Sequence, residues 1–222
     1  PSSSVIARAI RWFSAWLAVF VLMAVAPPAP GAEVPTDGLL LWLKADAGVT
    51  LNGSNVAGWA DQSPSGRDAI QTNEVSQPAL ITSGTGKPGL YFDGVDDFLT
   101  FNMPVNGLTG MTVVIVTSCR SLTGGNGASH AENAAIFWDE TVSWGTVYIG
   151  PFQRSIKWRF GTTQNPNRQT FTRFTPITTE YTITSMVKDG ATDSLYVDGI
   201  NVDTQFGKLE SIAGCQDTGN LG

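Results

Sequence analysis

Residues 86–101 read G-K-P-G-L-Y-F-D-G-V-D-D-F-L-T-F, and no other stretch limits the possible fold as much. Leu90, Tyr91 and Phe92 form a short apolar run. Asp93-Gly94 then makes a turn, because glycine reaches positive φ without a side-chain clash. Asp96 and Asp97 follow, and Phe98, Leu99 and Phe101 lead away with strand character. The pattern predicts a hairpin carrying three carboxylates at its tip.

The signals around it are β almost throughout. Residues 39–44 are a nearly continuous apolar run and predict a strand buried on both faces. Residues 68–70 read as a short edge strand, and residues 78–81 as another strand before the central hairpin. Residues 111–118, M-T-V-V-I-V-T-S, are the strongest strand, dense in β-branched side chains. Residues 134–139 follow, then a hairpin of residues 145–150 and 155–160 around Pro151-Phe152-Gln153. Residues 169–174 and 181–187 continue the pattern. Strands at 194–197 and 200–204 flank Asp198-Gly199, a second Asp-Gly turn. No helical period lasts longer than a turn. Many short strands with 24 Gly and 12 Pro between them predict a two-sheet sandwich.

Three motifs in order carry a resemblance. These are L-L-L-W-L-K-A-D at residues 39–46, V-A-G-W-A-D-Q-S at residues 56–63 and F-D-G-V-D-D-F at residues 92–98. Together the chain resembles, over roughly residues 38–206, the laminin-G-like, concanavalin A-like jelly-roll modules of bacterial secreted proteins. The resemblance implies an all-β, two-sheet antiparallel jelly-roll sandwich over residues 33–222. Such modules continue into one more acidic-aliphatic strand beside the first. Residues 221–222 fall in a Gly-, Asn- and Asp-rich stretch that reads as a loop, so the domain reads as C-terminally truncated, with its closing strand missing.

Residues 1–32 read as a signal peptide. Arg8 and Arg11 supply positive charge, residues 12–26 are apolar except for Ser14, and Ala29-Pro30-Gly31-Ala32 offers small residues for cleavage. An uncleaved N-terminal anchor is the alternative. The expected location is extracellular or at the cell surface, with no membrane insertion after cleavage. Net charge is −6, and losing Arg8 and Arg11 would leave the remainder more acidic still. An acidic surface repels nucleic acid and anionic lipid, which leaves glycans, extracellular proteins and divalent cations as partners. The two cysteines, Cys119 and Cys215, read either as a disulfide or as separate thiols.

Clustered carboxylates suit a hard cation, so Asp96 and Asp97 are candidate calcium ligands, while Asp93-Gly94 reads as turn structure. Several modules of the resembled kind bind calcium near one rim. No catalytic residues are assigned. The paired E-x-D-x-E arrangement of hydrolases on this sandwich is missing, and Glu132, Asp139 and Glu140 lack the alternation that would aim them together. His130, the only histidine, reads as a solvated loop residue. Period two places Ile156, Trp158 and Phe160 on one face and Lys157 and Arg159 on the other. Trp144, Tyr148, Lys157 and Arg159 therefore read as a ligand face on an open concave sheet, because sugar rings stack on aromatic side chains and polar neighbours read their hydroxyls. The reading that follows is a secreted non-catalytic recognition module for carbohydrate or another extracellular ligand. A structural or adhesive module and a polysaccharide hydrolase are the alternatives.

Overall fold

The computed structural model describes residues 34–119, 135–142, 145–152, 155–161, 172–174 and 180–222. All of the elements below lie within Pro35–Gly222. In chain order the strands are β1 (Val49–Asn52), β2 (Asn55–Trp59), β3 (Ala69–Ile70), β4 (Ala79–Thr82), β5 (Pro88–Tyr91), β6 (Leu99–Asn102), β7 (Gly110–Thr117) and β8 (Ile136–Glu140). They continue with β9 (Val147–Phe152), β10 (Ser155–Phe160), β11 (Thr172–Phe174), β12 (Thr182–Asp189), β13 (Thr192–Val197), β14 (Ile200–Gln205) and β15 (Cys215–Leu221). A single 3-10 turn, Glu74–Ser76, is the only helical element among the described residues.

Two antiparallel sheets form a sandwich. The larger has the order β11-β10-β9-β8-β15-β6-β3-β2-β4-β5, with β1 also paired to β2. The smaller is β14-β13-β12-β7. Strand alternation decides what lies between them. β7 points Met111, Val113 and Ile115 inward and leaves Thr112, Val114 and Val116 exposed. From the other sheet, Ile156, Trp158 and Phe160 of β10 are buried in the same core, as the period-two pattern predicts. The Lys188 ammonium on β12 lies 5.5 Å from the centre of the Phe160 ring, which ties the two layers together. Asp198 (φ 50°) and Gly199 (φ 79°) form the tight β13–β14 turn, both in the left-handed region that such a two-residue hairpin needs.

Four expectations are corrected. Residues 39–44 are not a strand and are only partly buried, because their backbone groups are taken by side chains and loop amides. Asp61 Oδ1 accepts the Trp42 N–H at 2.8 Å, the Trp59 indole donates to the Lys44 carbonyl at 2.7 Å, and the Gln62 N–H donates to the Trp42 carbonyl at 2.8 Å. β5 and β6 are not a hairpin: β5 pairs with β4, and β6 pairs with β3 and β15, so residues 92–98 connect two separated strands of one sheet. β3 lies between β2 and β6 rather than at an edge. Finally, residues 215–221 are a strand inside the large sheet, flanked by β6 and β8. Ladder bonds on both sides hold that Gly- and Asn-containing segment extended against its weak intrinsic preference. The segment assigned as a signal peptide, residues 1–32, lies outside the described residues.

Candidate functional site

Among the described residues, the most chemically loaded surface is the rim where residues 92–98 cross toward β6. Buried Gln71 and Gln77 set the frame. Gln77 Nε2 donates to the Gln71 carbonyl at 2.9 Å, and Gln71 Nε2 donates to the Phe98 carbonyl at 3.1 Å. The Phe98 N–H donates to the Ser76 carbonyl at 3.1 Å, joining the 3-10 turn to the connection. Every backbone group used this way is one the loop need not lose to water.

Upon this frame Asp93, Asp96 and Asp97 each place a ligand-type oxygen within 4.8 Å of the others. Asp93 Oδ1 accepts the Val95 and Asp96 amides at 2.8 and 3.3 Å, and Asp97 Oδ2 accepts the Asp93 amide at 2.9 Å. Ser76 Oγ donates to Asp96 Oδ2 at 3.4 Å. These bonds engage one oxygen of each carboxylate, so the second oxygens are the ones that suit an oxygen-seeking cation. The charges respond to their surroundings. The Val95 amide holds the Asp93 carboxyl below its ordinary range, helped by the Asp96 and Asp97 amides. Asp97 is pushed up by burial, with the neighbouring charges of Asp93 and Asp96 adding to it. Asp96 and Asp97 thus sit together as the sequence predicts, and Asp93 joins them while also capping the turn. Exposed apolar side chains share this rim: Val75 at 72%, Val95 at 84% and Phe98 at 40% exposure.

The face foreseen for stacking a sugar is different. Tyr148 and Arg159 are cross-strand partners in the β9–β10 ladder and lie opposite Trp158, as alternation requires. Both are nevertheless buried, at 2% and 1% exposure, so they do not form an open concave surface. Alternation fixes which way a side chain points; it does not fix whether something lies over it. Burial pulls the Arg159 guanidinium below its ordinary pKa, while the charges of Tyr148, Glu140 and Cys215 oppose that shift. Lys157 is partly exposed. Trp144, His130 and Glu132 lie outside the described residues, and Asp139 and Glu140 are exposed on β8. No disulfide joins Cys119 to Cys215. Burial pushes the Cys215 thiol up to about 12, with Arg159 opposing.

Three polar arrangements escaped sequence reading. Asp61 accepts the Ser63 hydroxyl at 2.7 Å and the Ser63 and Arg67 amides at 2.8 Å, besides that of Trp42. Asn106 imitates a strand partner, donating to the Cys215 carbonyl at 2.7 Å and accepting its N–H at 3.0 Å. Lys188 and Asp193 form an ion pair inside the core. Its signal was available in the sequence, since Lys188 falls on the inward phase of β12 with Thr184 and Met186.

No family model matches the chain, and no curated protein matches its sequence. Solved structures do match in fold. One is the binding domain of botulinum neurotoxin DC in complex with rat synaptotagmin II, which matches at 11% identity with a TM-score of 0.50 over 84% of this chain and 44% of that one. A point mutant of the chain named HCR/D matches with 13% identity and a TM-score of 0.51 over 82% of this chain and 43% of that one. The serotype D ligand binding domain in complex with N-acetylneuraminic acid matches with 14% identity and a TM-score of 0.48, over 76% and 42%. The chain spans less than half the length of each of these chains. The shared property is the β-sandwich fold.

Proposed function

We propose that this chain is a secreted, non-catalytic recognition module of the laminin-G-like, concanavalin A-like type, and that it engages a glycan or an extracellular protein at the rim. The observation that carries the reading is the joint placement of three carboxylates and the exposed Val75, Val95 and Phe98 on hydrogen-bonded loops. Exposed apolar side chains beside a fixed cluster of charge suit binding, because they bury apolar area while the charges set orientation. The carboxylates bind calcium in this reading, and the bound cation supplies positive charge for hydroxyl or carboxylate oxygens of the ligand. A fold shared with a neurotoxin binding domain solved with a protein partner is consistent with recognition. Secretion rests on the charged and apolar pattern of residues 1–32.

An array of glycans and extracellular proteins, probed with and without calcium, tests this. The expected result is calcium-dependent capture that Asp96→Ala plus Asp97→Ala removes while the fold survives. Capture that is indifferent to calcium and to both substitutions would move the site away from the rim.

A further inference from the structure

The hairpin of β12 and β13 places a nucleophile and an acyl group together in the core. Lys188 and Asp193 are direct cross-strand partners, with Nζ 3.1 Å from Oδ1 and side chains only 1% and 0% exposed. Nζ also donates to the Leu209 carbonyl, and the Phe160 ring centre lies 5.5 Å away. Met186 and Leu195, both fully buried, come from the same two strands. Two charges removed from water in this way keep little of their hydration. A proton passed from Nζ to the carboxylate turns them into a neutral amine facing a neutral carboxylic acid. Groups held in contact by a fold react as if at very high concentration, and the pocket excludes the water that would drive the reverse reaction.

We propose that Lys188 and Asp193 condense into an intramolecular amide. The Nζ lone pair adds to Cγ of the protonated Asp193, so the Nζ–Cγ bond forms. The Cγ–OH bond then breaks, and the hydroxyl leaves with a proton from the nitrogen as one molecule of water. No oxidant, reductant or second reagent takes part. The product amide keeps one N–H, which remains available to the Leu209 carbonyl, and the core loses both of its charges. The cross-link staples β12 to β13 beside their turn and removes a trypsin site at Lys188.

Intact mass spectrometry of the full chain, followed by peptide mapping, tests the proposal. The expected mass is lower than the sequence mass by one water, with a branched peptide joining Lys188 to Asp193 and no tryptic cleavage after Lys188. Asp193→Asn should reach the same final product by losing ammonia, and Asp193→Ala should show its full sequence mass. Folding of the Asn variant is checked by circular dichroism. Wild-type protein at full mass with unmodified Lys188 and Asp193 peptides overturns the proposal. So does a water loss that maps elsewhere, such as to Asp93-Gly94 or Asp198-Gly199.

Discussion

Phe101 and Trp138 meet edge-on over Gly219, with ring centres 5.5 Å apart and planes at 88°. Gly219 is the ladder partner of both, Phe101 on β6 and Trp138 on β8. A Cβ on Gly219 would lie 2.3 Å from the Phe101 ring. The missing side chain is therefore what lets two aromatic residues touch across an intervening strand. Gly219→Ala should cost about 1–3 kcal/mol, the usual range for an overpacked core. Urea unfolding of the pair of proteins measures it.

Asp61 is the second structural prediction. Burial pushes its carboxyl up, but the Arg67 amide, the Ser63 hydroxyl and amide and the Trp42 amide outweigh this and hold it below the ordinary range. A carboxylate lowered in the fold contributes stability that is present above its unfolded pKa of 3.8 and lost as pH falls through the folded value. Asp61→Ala should cost about 1–3 kcal/mol at neutral pH, because several loop amides lose their acceptor. Thermal melts between neutral and acidic pH should converge for the two proteins as the acid side is reached.

The β9–β10 hairpin yields a third. Trp158→Ala should cost about 3–5 kcal/mol, as for other buried aromatic truncations. Arg159→Ala should also destabilise, by about 2 kcal/mol, since its side chain is as buried as the core around it. A mild effect of Arg159→Ala in denaturant titration would show that the outer face of this hairpin tolerates loss of the side chain.

These cases show what the sequence carries and where it stops. Period two in β7, β10 and β12 and the Asp198-Gly199 turn were legible, because alternation and turn chemistry are local. Residues 39–44 read as a strand because they are nearly all apolar, yet Asp61 and Trp59 capture their backbone from a distance. The stretch holding residues 221–222 read as a loop because it is rich in Gly, Asn and Asp, yet two neighbouring strands extend residues 215–221. Tyr148 and Arg159 were given the correct face and the wrong exposure. At the rim, Asp96 and Asp97 were legible as a pair, whereas Gln71, Gln77 and Ser76, which hold the loop beneath them, carry no local signature.

Calcium should raise the melting temperature in a concentration-dependent way, since a ligand that binds only the folded state stabilises it by mass action. Asp96→Ala plus Asp97→Ala should remove that dependence. The pH behaviour carries a sign. Asp97 is raised by burial and by Asp93 and Asp96, so its contribution to stability is present below the ordinary carboxylate value and is lost as pH rises through the raised one. Bound calcium should reverse that loss at neutral pH, and its benefit should fade on acidification at a higher pH than for an ordinary aspartate. Scanning calorimetry across pH, with and without calcium, reads both effects.

The rim as binding surface is tested most directly by comparing affinities for the array ligand among three proteins. These are the wild type, Val95→Lys at the rim and Val114→Lys on the outer face of the small sheet. Both valines are largely exposed, so neither change should disturb the fold. Biolayer interferometry should show binding weakened about tenfold or more by Val95→Lys, the loss of about 1.4 kcal/mol, and little changed by Val114→Lys. Undiminished binding by Val95→Lys, with loss in Val114→Lys, would contradict the account and place recognition on the small sheet.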